Sequence, residues 1–325
     1  MTKPILVTGG AGFIGSSLIE KLIQDKDYLI ICVDDLNDYY DPQQKQKNIA
    51  PFLKQTNFIF YKIDITDYQA LKTIFQKHKL DKIIHLAARA GVRASINQPL
   101  LYKKVNVGGT LNLLELARIN KTPQFIFGST SSVYGNQKKI PFSEADSCNE
   151  PISPYAASKK AAELFCHTYA HLHGLKITCL RFFTVYGPKG RPDMAPYLFT
   201  EAIVKGKSIE RFGDGTTKRD YTYIDDIVDG IIKTLQKPFN YEIINLGSNQ
   251  PISLNEFIKT LEKLIGKKAQ IIQKTIPCGD VLLTYADIKK ARILLGWKPT
   301  TNFESGMRKF VTWYCQEVAK NRPLR

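Results

Sequence analysis

The sequence contains no apolar run of the roughly 18 residues that a membrane-spanning helix requires, so no segment reads as a transmembrane span. Its six cysteines, Cys32, Cys148, Cys166, Cys179, Cys278 and Cys315, form no CxxC pair, and reduced thiols in the cytoplasm are the expectation. The opening MTKPILVTGG lacks the charged, apolar and cleavage regions of a secretory signal, which again points to a cytoplasmic protein. Internal repeats and low-complexity tracts are absent. Acidic residues are scarce: 30 Asp+Glu against 46 Lys+Arg leave a net charge of +16. The excess is spread evenly, with the pairs Lys138-Lys139, Lys159-Lys160, Lys267-Lys268 and Lys289-Lys290 far apart. A nucleic-acid surface needs clustering, so none is expected, whereas attraction for a small anionic substrate is compatible with this charge.

What is present is an ordinary globular composition, with 43% hydrophobic and 23% charged residues over 325 positions, enough for one large or two closely joined domains. Short β-branched runs at Pro4–Thr8, Tyr28–Val33, Phe58–Ile63, Lys82–Ala87, Gln124–Gly128 and Lys176–Arg181 alternate with helix-period segments at Ser16–Ile23, Tyr68–His78, Leu100–Asn120 and Tyr155–His173. Gly174 is a helix stop. This rhythm predicts βαβ units and an α/β fold built on a doubly wound parallel sheet. After Arg181, turns rich in Gly and Pro break the rhythm, so residues 1–180 read as one domain and 181–325 mainly as a second, smaller α/β domain. A later strand, Glu242–Leu246, is expected to rejoin the first sheet.

Strand Pro4–Thr8 runs into Gly9-Gly10-Ala11-Gly12-Phe13-Ile14-Gly15 and then a helix. In this context Gly9 permits a tight turn, Gly12 lets a pyrophosphate approach the backbone, and Gly15 allows close helix–strand packing, with free helix N–H groups facing the anion. Asp34, ending the second strand roughly 20 residues on, suits both hydroxyls of an adenosine ribose and repels a 2′-phosphate, which favours NAD over NADP. Asp64-Ile65 and Leu86-Ala87-Ala88, at the next two strand ends, are expected to flank the adenine and the pyrophosphate.

Tyr155 and Lys159 stand i, i+4 at the start of a helix and share a face. A phenol titrates near 10, but a neighbouring ammonium and a cationic nicotinamide favour its phenolate, as a base for alcohol oxidation requires. In isolation the same pair reads more readily as helix surface, since YxxxK occurs often by chance. Gly128-Ser129-Thr130-Ser131-Ser132, at a strand end, offers hydroxyls to a ligand.

Together TGGAGFIG (Thr8–Gly15), HLAA (His85–Ala88), STSSVYG (Ser129–Gly135) and Tyr155/Lys159 resemble the extended short-chain dehydrogenase/reductase superfamily, a Rossmann-type fold, over essentially the whole chain. Within it, DDLNDYYD (Asp34–Asp41), AGVR (Ala90–Arg93), RFFTVYGPKGRPDMA (Arg181–Ala195) and RDYTYIDDIVDG (Arg219–Gly230) are similar to the UDP-glucuronate 4-epimerases. The resemblance implies that Tyr155 takes the proton of the sugar 4-hydroxyl while hydride passes to NAD, that Lys159 holds the nicotinamide ribose and lowers the tyrosine pKa, and that Thr130 bonds the 4-oxygen. The resulting 4-keto uronate is a β-keto acid, so its carboxylate must be held out of line with the carbonyl; Ser131, Ser132, Thr184 and Arg191 are candidate holders. Related decarboxylases and 4,6-dehydratases carry Glu where Ser132 stands, and galactose-type epimerases usually carry Asn at Thr184. The resemblance also places Phe212 on the uracil, Arg219 on the diphosphate, Asp280 near the uridine ribose and Arg93 on the substrate. Phe212 reads equally as core, and the three ions as surface charges.

Other UDP-sugar epimerases and UDP-glucuronate decarboxylases share most of these motifs, and a non-catalytic dinucleotide sensor shares the fold. His167, His171 and His173 include a helical metal-pair spacing, but HExxH lacks its Glu here and no third ligand is near, so no metal is expected. Apolar residues on Leu100–Asn120 and Tyr155–His173, such as Leu111, Leu114, Leu164 and Tyr169, predict a homodimer through a four-helix bundle.

Overall fold

The computed structural model describes residues 2–276 and 280–318; Cys278 lies outside the described residues. Six strands open the chain: β1 (Lys3–Thr8), β2 (Tyr28–Asp34), β3 (Phe58–Lys62), β4 (Lys82–His85), β5 (Gln124–Thr130) and β6 (Lys176–Phe182). Then follow β7 (Thr184–Tyr186), β8 (Ser208–Phe212), β9 (Lys218–Tyr223), β10 (Tyr241–Leu246), β11 (Pro251–Ser253) and β12 (Gln270–Lys274). A seven-stranded, all-parallel sheet has the order β10-β6-β5-β4-β1-β2-β3. This is the doubly wound Rossmann arrangement, and strand direction of travel across the sheet reverses between β1 and β4. There Thr8 lies beside His85, and their strand ends open the crevice in which ligands of such sheets bind.

Burial on both faces explains the near-continuous apolar strands. Ile5 and Val7 of β1, with Ile30 and Cys32 of β2, pack to one side; Leu6, Ile31 and Val33 pack to the other. Helices Phe13–Leu22 and Ile224–Gln236 cover the first face, while Thr110–Ile119 and Pro154–His173 contribute Leu113, Leu114, Ala162 and Cys166 to the second. The remaining strands form a β11-β9-β7 sheet and a β12-β8 pair, beside helices Ala195–Lys205, Leu254–Ile265 and Phe303–Trp313.

Three local expectations are corrected. The single helix predicted over Leu100–Asn120 is a short helix Pro99–Tyr102, a wide π-helical stretch Lys103–Gly109 and an α-helix Thr110–Ile119. The extra width turns Asn106 inward, where its amide donates to Arg89 O and Ser158 Oγ at 3.0 Å each and accepts from Arg89 N at 2.7 Å. β5 continues past Gly128 to Thr130, and Ser131–Tyr134 then turns as a 3-10 helix. Leu114 offers no outer surface: it is fully buried against the sheet, and Tyr169 is half-buried with its hydroxyl donating to Glu115 at 3.0 Å. Leu100, Ile119, Leu164, Phe165 and Leu172 are exposed apolar residues of these helical segments. No helix among the described residues is long and apolar enough to cross a membrane.

Candidate active site

A cleft opens at the carboxyl ends of the parallel strands. It is lined by Gly9, Gly12, Phe13, Ile14, Gly15, Asp34, Asp64, Ile65, Leu86, Ala87 and Ala88 on one side, and by Thr130, Ser131, Ser132, Tyr155, Lys159, Thr184 and Arg191 on the other. Gly9, Gly12 and Gly15 of the β1 turn each have a distinct reason to be there. Gly9 has φ +71°, and a Cβ on it would lie 2.6 Å from Ala87 N. A Cβ on Gly15 would lie 2.2 Å from Gly9 O. Gly12 begins the helix Phe13–Leu22 without a side-chain cap, so the first-turn N–H groups receive no bond from a capping side chain.

Asp34 ends β2 with its carboxylate turned back on this loop: Oδ2 accepts from Ala11 N at 3.1 Å and Oδ1 from Leu36 N at 2.9 Å. Burial pushes its pKa up, against those bonds and the charge of Lys45. Lys45, which the sequence reading did not single out, donates to Asn37 O and Oδ1 at 2.8 and 2.9 Å and covers the Tyr40 ring at 4.8 Å. Asp64 is exposed and accepts from Thr66 N at 2.8 Å.

The helix carrying Tyr155 and Lys159 starts with Ser153, whose Oγ accepts from Ala156 N at 3.1 Å, and with Pro154 in its first turn. Tyr155 packs edge-on to Tyr102, ring centroids 6.2 Å apart. Burial pushes its phenol up, while the Thr130 hydroxyl and the Arg191 charge draw it down. Arg191, which the sequence reading did not connect with this phenol, thus acts on it. Lys159 turns instead onto the Phe127 ring, its Nζ 4.1 Å from the centroid, and burial lowers its pKa to about 8. Thr130 Oγ1 donates to Ser132 Oγ at 3.2 Å and accepts from Ser132 N at 3.1 Å. Ser129 is spent elsewhere, donating to Glu163 Oε1 at 2.6 Å.

Arg191 reaches the cleft from the segment before helix Ala195–Lys205 and pairs with Asp193, to which Tyr39 also donates. Tyr39, Tyr102 and Asp193 were not singled out from the sequence, although Tyr39 and Asp193 sit inside quoted motifs. Arg93, Phe212, Arg219 and Asp280 stand apart from the cleft lining. Arg93 Nη2 donates to Asp280 Oδ2 at 2.9 Å and its guanidinium covers Phe212 at 4.4 Å, so Phe212 is a stacking surface and not core. Burial lowers the pKa of the half-buried Arg219, partly offset by Tyr221 and Asp280. Of the three helix histidines, His167 packs on Tyr241 with centroids 4.9 Å apart and His173 on Tyr169 at 5.3 Å.

Residues 6–310 match the family model described as GDP-mannose 4,6 dehydratase. The chain is 50% identical over 314 residues to a UDP-glucuronate 4-epimerase of Thermodesulfobacterium geofontis, covering 96% of both chains. It is similar to the crystal structure of a UDP-glucuronic acid 4-epimerase from Bacillus cereus in complex with UDP-glucuronic acid and NAD, with TM-score 0.91, 36% identity and coverage of 96% and 99% of the two chains. A UDP-glucose 4-epimerase structure from Thermotoga maritima, with UDP-glucose, matches with TM-score 0.90 at 35% identity over 97% and 99% of the chains.

Proposed function

The chain belongs to the GDP-mannose 4,6 dehydratase family, within the extended short-chain dehydrogenase/reductases, and we propose that it interconverts UDP-glucuronate and UDP-galacturonate by NAD-dependent inversion of carbon 4. The observation that carries this reading is one cleft holding both a dinucleotide turn and, opposite it, Tyr155 with Arg191 and the hydroxyl-bearing side chains Thr130, Ser131, Ser132 and Thr184.

The residues fit NAD. The Phe13–Leu22 N-terminus has no side-chain cap to compete with a pyrophosphate, and Asp34 keeps lone pairs for ribose hydroxyls beyond its two backbone bonds. Lys159 lines the same cleft with no carboxylate partner among the described residues, free to hold the nicotinamide ribose. When bound, NAD accepts hydride from carbon 4 and later returns it to the other face, so no net oxidation occurs.

Tyr155 removes the 4-hydroxyl proton, with Thr130 bonding the same oxygen and the Arg191 charge favouring the phenolate. After the 4-keto sugar turns in the pocket, Tyr155 returns the proton. Ser131, Ser132, Thr184 and Arg191 hold the carboxylate out of line with the ketone, which suppresses loss of carbon dioxide. Ser132 supplies no carboxyl acid/base of the kind a dehydratase or decarboxylase uses. Outside the cleft, Phe212 and Arg93 offer stacking to the uracil, with Arg219 and Asp280 beside them for the diphosphate and ribose.

NMR of UDP-glucuronate incubated with the protein tests this reading. UDP-galacturonate without carbon dioxide is the expected product; UDP-pentose would make it a decarboxylase, and no turnover would restore the sensor reading.

The protein works as a homodimer in the cytoplasm. The exposed Leu100, Leu164, Phe165 and Leu172 support pairing through the two helical segments, and a monomeric mass in light scattering at micromolar concentration would refute it.

A further inference from the structure

Arg191 meets Asp193 along one edge. Nε donates to Oδ1 at 2.9 Å and Nη2 to Oδ2 at 2.5 Å, and Tyr39 Oη donates to the same Oδ2 at 3.0 Å. The guanidinium also lies over the Tyr39 ring, 5.4 Å from its centroid. Tyr39 comes from the segment after β2, Arg191 and Asp193 from the segment after β7, so the contact joins distant parts of the chain across the cleft mouth. Gly91 seals the arrangement: its φ is +97°, and a Cβ there would lie 2.3 Å from Tyr39 Oη. Only a residue without a side chain leaves room for this tyrosine.

A guanidinium carries five N–H donors in one planar fork. Asp193 occupies the Nε edge, which leaves Nη1 and the second Nη2 hydrogen on the other edge for a ligand. Arg191 lines the cleft together with Tyr155 and Thr184. Its long side chain is therefore fixed at one edge by an acid, and on one face by a ring, before any substrate arrives.

We propose that Tyr39 and Asp193 are positioning residues that fix Arg191 so that its free edge receives the uronate carboxylate, and that they thereby set the fidelity of the enzyme toward an acidic sugar. This inference rests on the substrate reading above. Asp193 is itself an anion, so what it contributes toward a carboxylate ligand is orientation of Arg191 and not attraction. Orientation matters most at the 4-keto stage, when a carboxylate free to align with the ketone is lost as carbon dioxide. Loss of the clamp thus acts on kcat and on product partition more than on KM.

The test compares wild type, Tyr39→Phe, Asp193→Asn and Asp193→Glu as full-length, NAD-loaded proteins. Epimer and UDP-pentose are quantified by NMR, and UDP and UDP-glucuronate binding by calorimetry. Asp193→Asn is expected to lower kcat about tenfold, change KM less than about threefold, and raise the pentose fraction at least about tenfold. Tyr39→Phe, which removes one hydroxyl, moves the same way by about threefold, and Asp193→Glu recovers most of the loss. The double variant Tyr39→Phe/Asp193→Asn is no worse than Asp193→Asn, because the two act as one unit. UDP binding is unchanged throughout. An active wild type with Asp193→Asn and Tyr39→Phe matching it in kcat and product ratio overturns the clamp alone, as do losses shared equally by UDP binding. A wild type that leaves UDP-glucuronate unchanged overturns the substrate reading first, and the clamp with it.

Discussion

Glu163 and Arg181 face each other through two parallel hydrogen bonds, Nε to Oε1 at 2.9 Å and Nη2 to Oε2 at 2.8 Å, and both side chains are buried. Ser129 adds a third bond to Oε1, so one carboxylate ties the helix of Tyr155 to the ends of β5 and β6. The Arg181 guanidinium also rests on the Tyr134 ring at 4.7 Å. The Tyr155 phenol is thus aligned with the sheet by an ion pair that stands outside the cleft lining.

Replacing Glu163 with Ala leaves the Arg181 charge buried and unpaired. A loss of about 3–5 kcal/mol in denaturant unfolding is expected. A change below about 1 kcal/mol would show that water enters and solvates the arginine.

Gly15→Ala and Gly174→Ala separate two uses of glycine. A Cβ on Gly15 strikes Gly9 O at 2.2 Å, whereas Gly174 has nothing within 4 Å and only its φ of +66° to satisfy. The first is expected to abolish NAD retention on gel filtration. The second costs about 1 kcal/mol of stability and leaves NAD retention intact.

Lys159 predicts a stability that rises with pH. In the unfolded chain its ammonium keeps its proton to the ordinary value of 10.5, while burial lowers the folded value to about 8. Between those values the unfolded state binds more protons, so folding is favoured increasingly as pH climbs from 8 to 10.5, and below pH 8 the burial cost is felt in full. Lys159→Met is therefore expected to stabilise the cofactor-free protein at pH 7 by up to about 3 kcal/mol and to lose most of that gain by pH 10.5. Thermal melts across this range measure it; a gain independent of pH would mean that the methionine merely packs better.

Tyr155→Phe keeps the ring contact with Tyr102 and removes the oxygen proposed above as acid and base. Turnover is expected to fall at least about 10²-fold with NAD retention unchanged, measured by single-turnover NMR and by absorbance of the released cofactor. Near-normal turnover would transfer the role of base to another group.

The dinucleotide half of the cleft was legible because its chemistry is local. Gly9, Gly12 and Gly15 fall within one turn, and Asp34 marks the next strand end, so spacing alone brings them together. The breaks in Leu100–Asn120 were not legible, because apolar period fits a straight helix equally well; the pull of Arg89 and Ser158 on Asn106 comes from segments distant in sequence. Tyr39–Asp193 and Glu163–Arg181 leave no periodic trace either. Tyr155 was found by its spacing to Lys159, whereas the Arg191 charge that draws its phenol down comes from a loop whose path no local pattern fixes.

The place of β10 at the sheet edge governs how the molecule is assembled. The chain leaves the sheet after β6, lays down β7, β8, β9 and the helix Ile224–Gln236, and only then returns to pair Tyr241–Leu246 with Ile177–Phe182. During synthesis β6 therefore presents an unpaired, strongly apolar flank until those residues have left the ribosome, and a fragment cut near residue 180 would carry that flank permanently. The two halves of the cleft cannot mature strictly one after the other, since the sheet that carries the first is complete only when Tyr241–Leu246 has joined it.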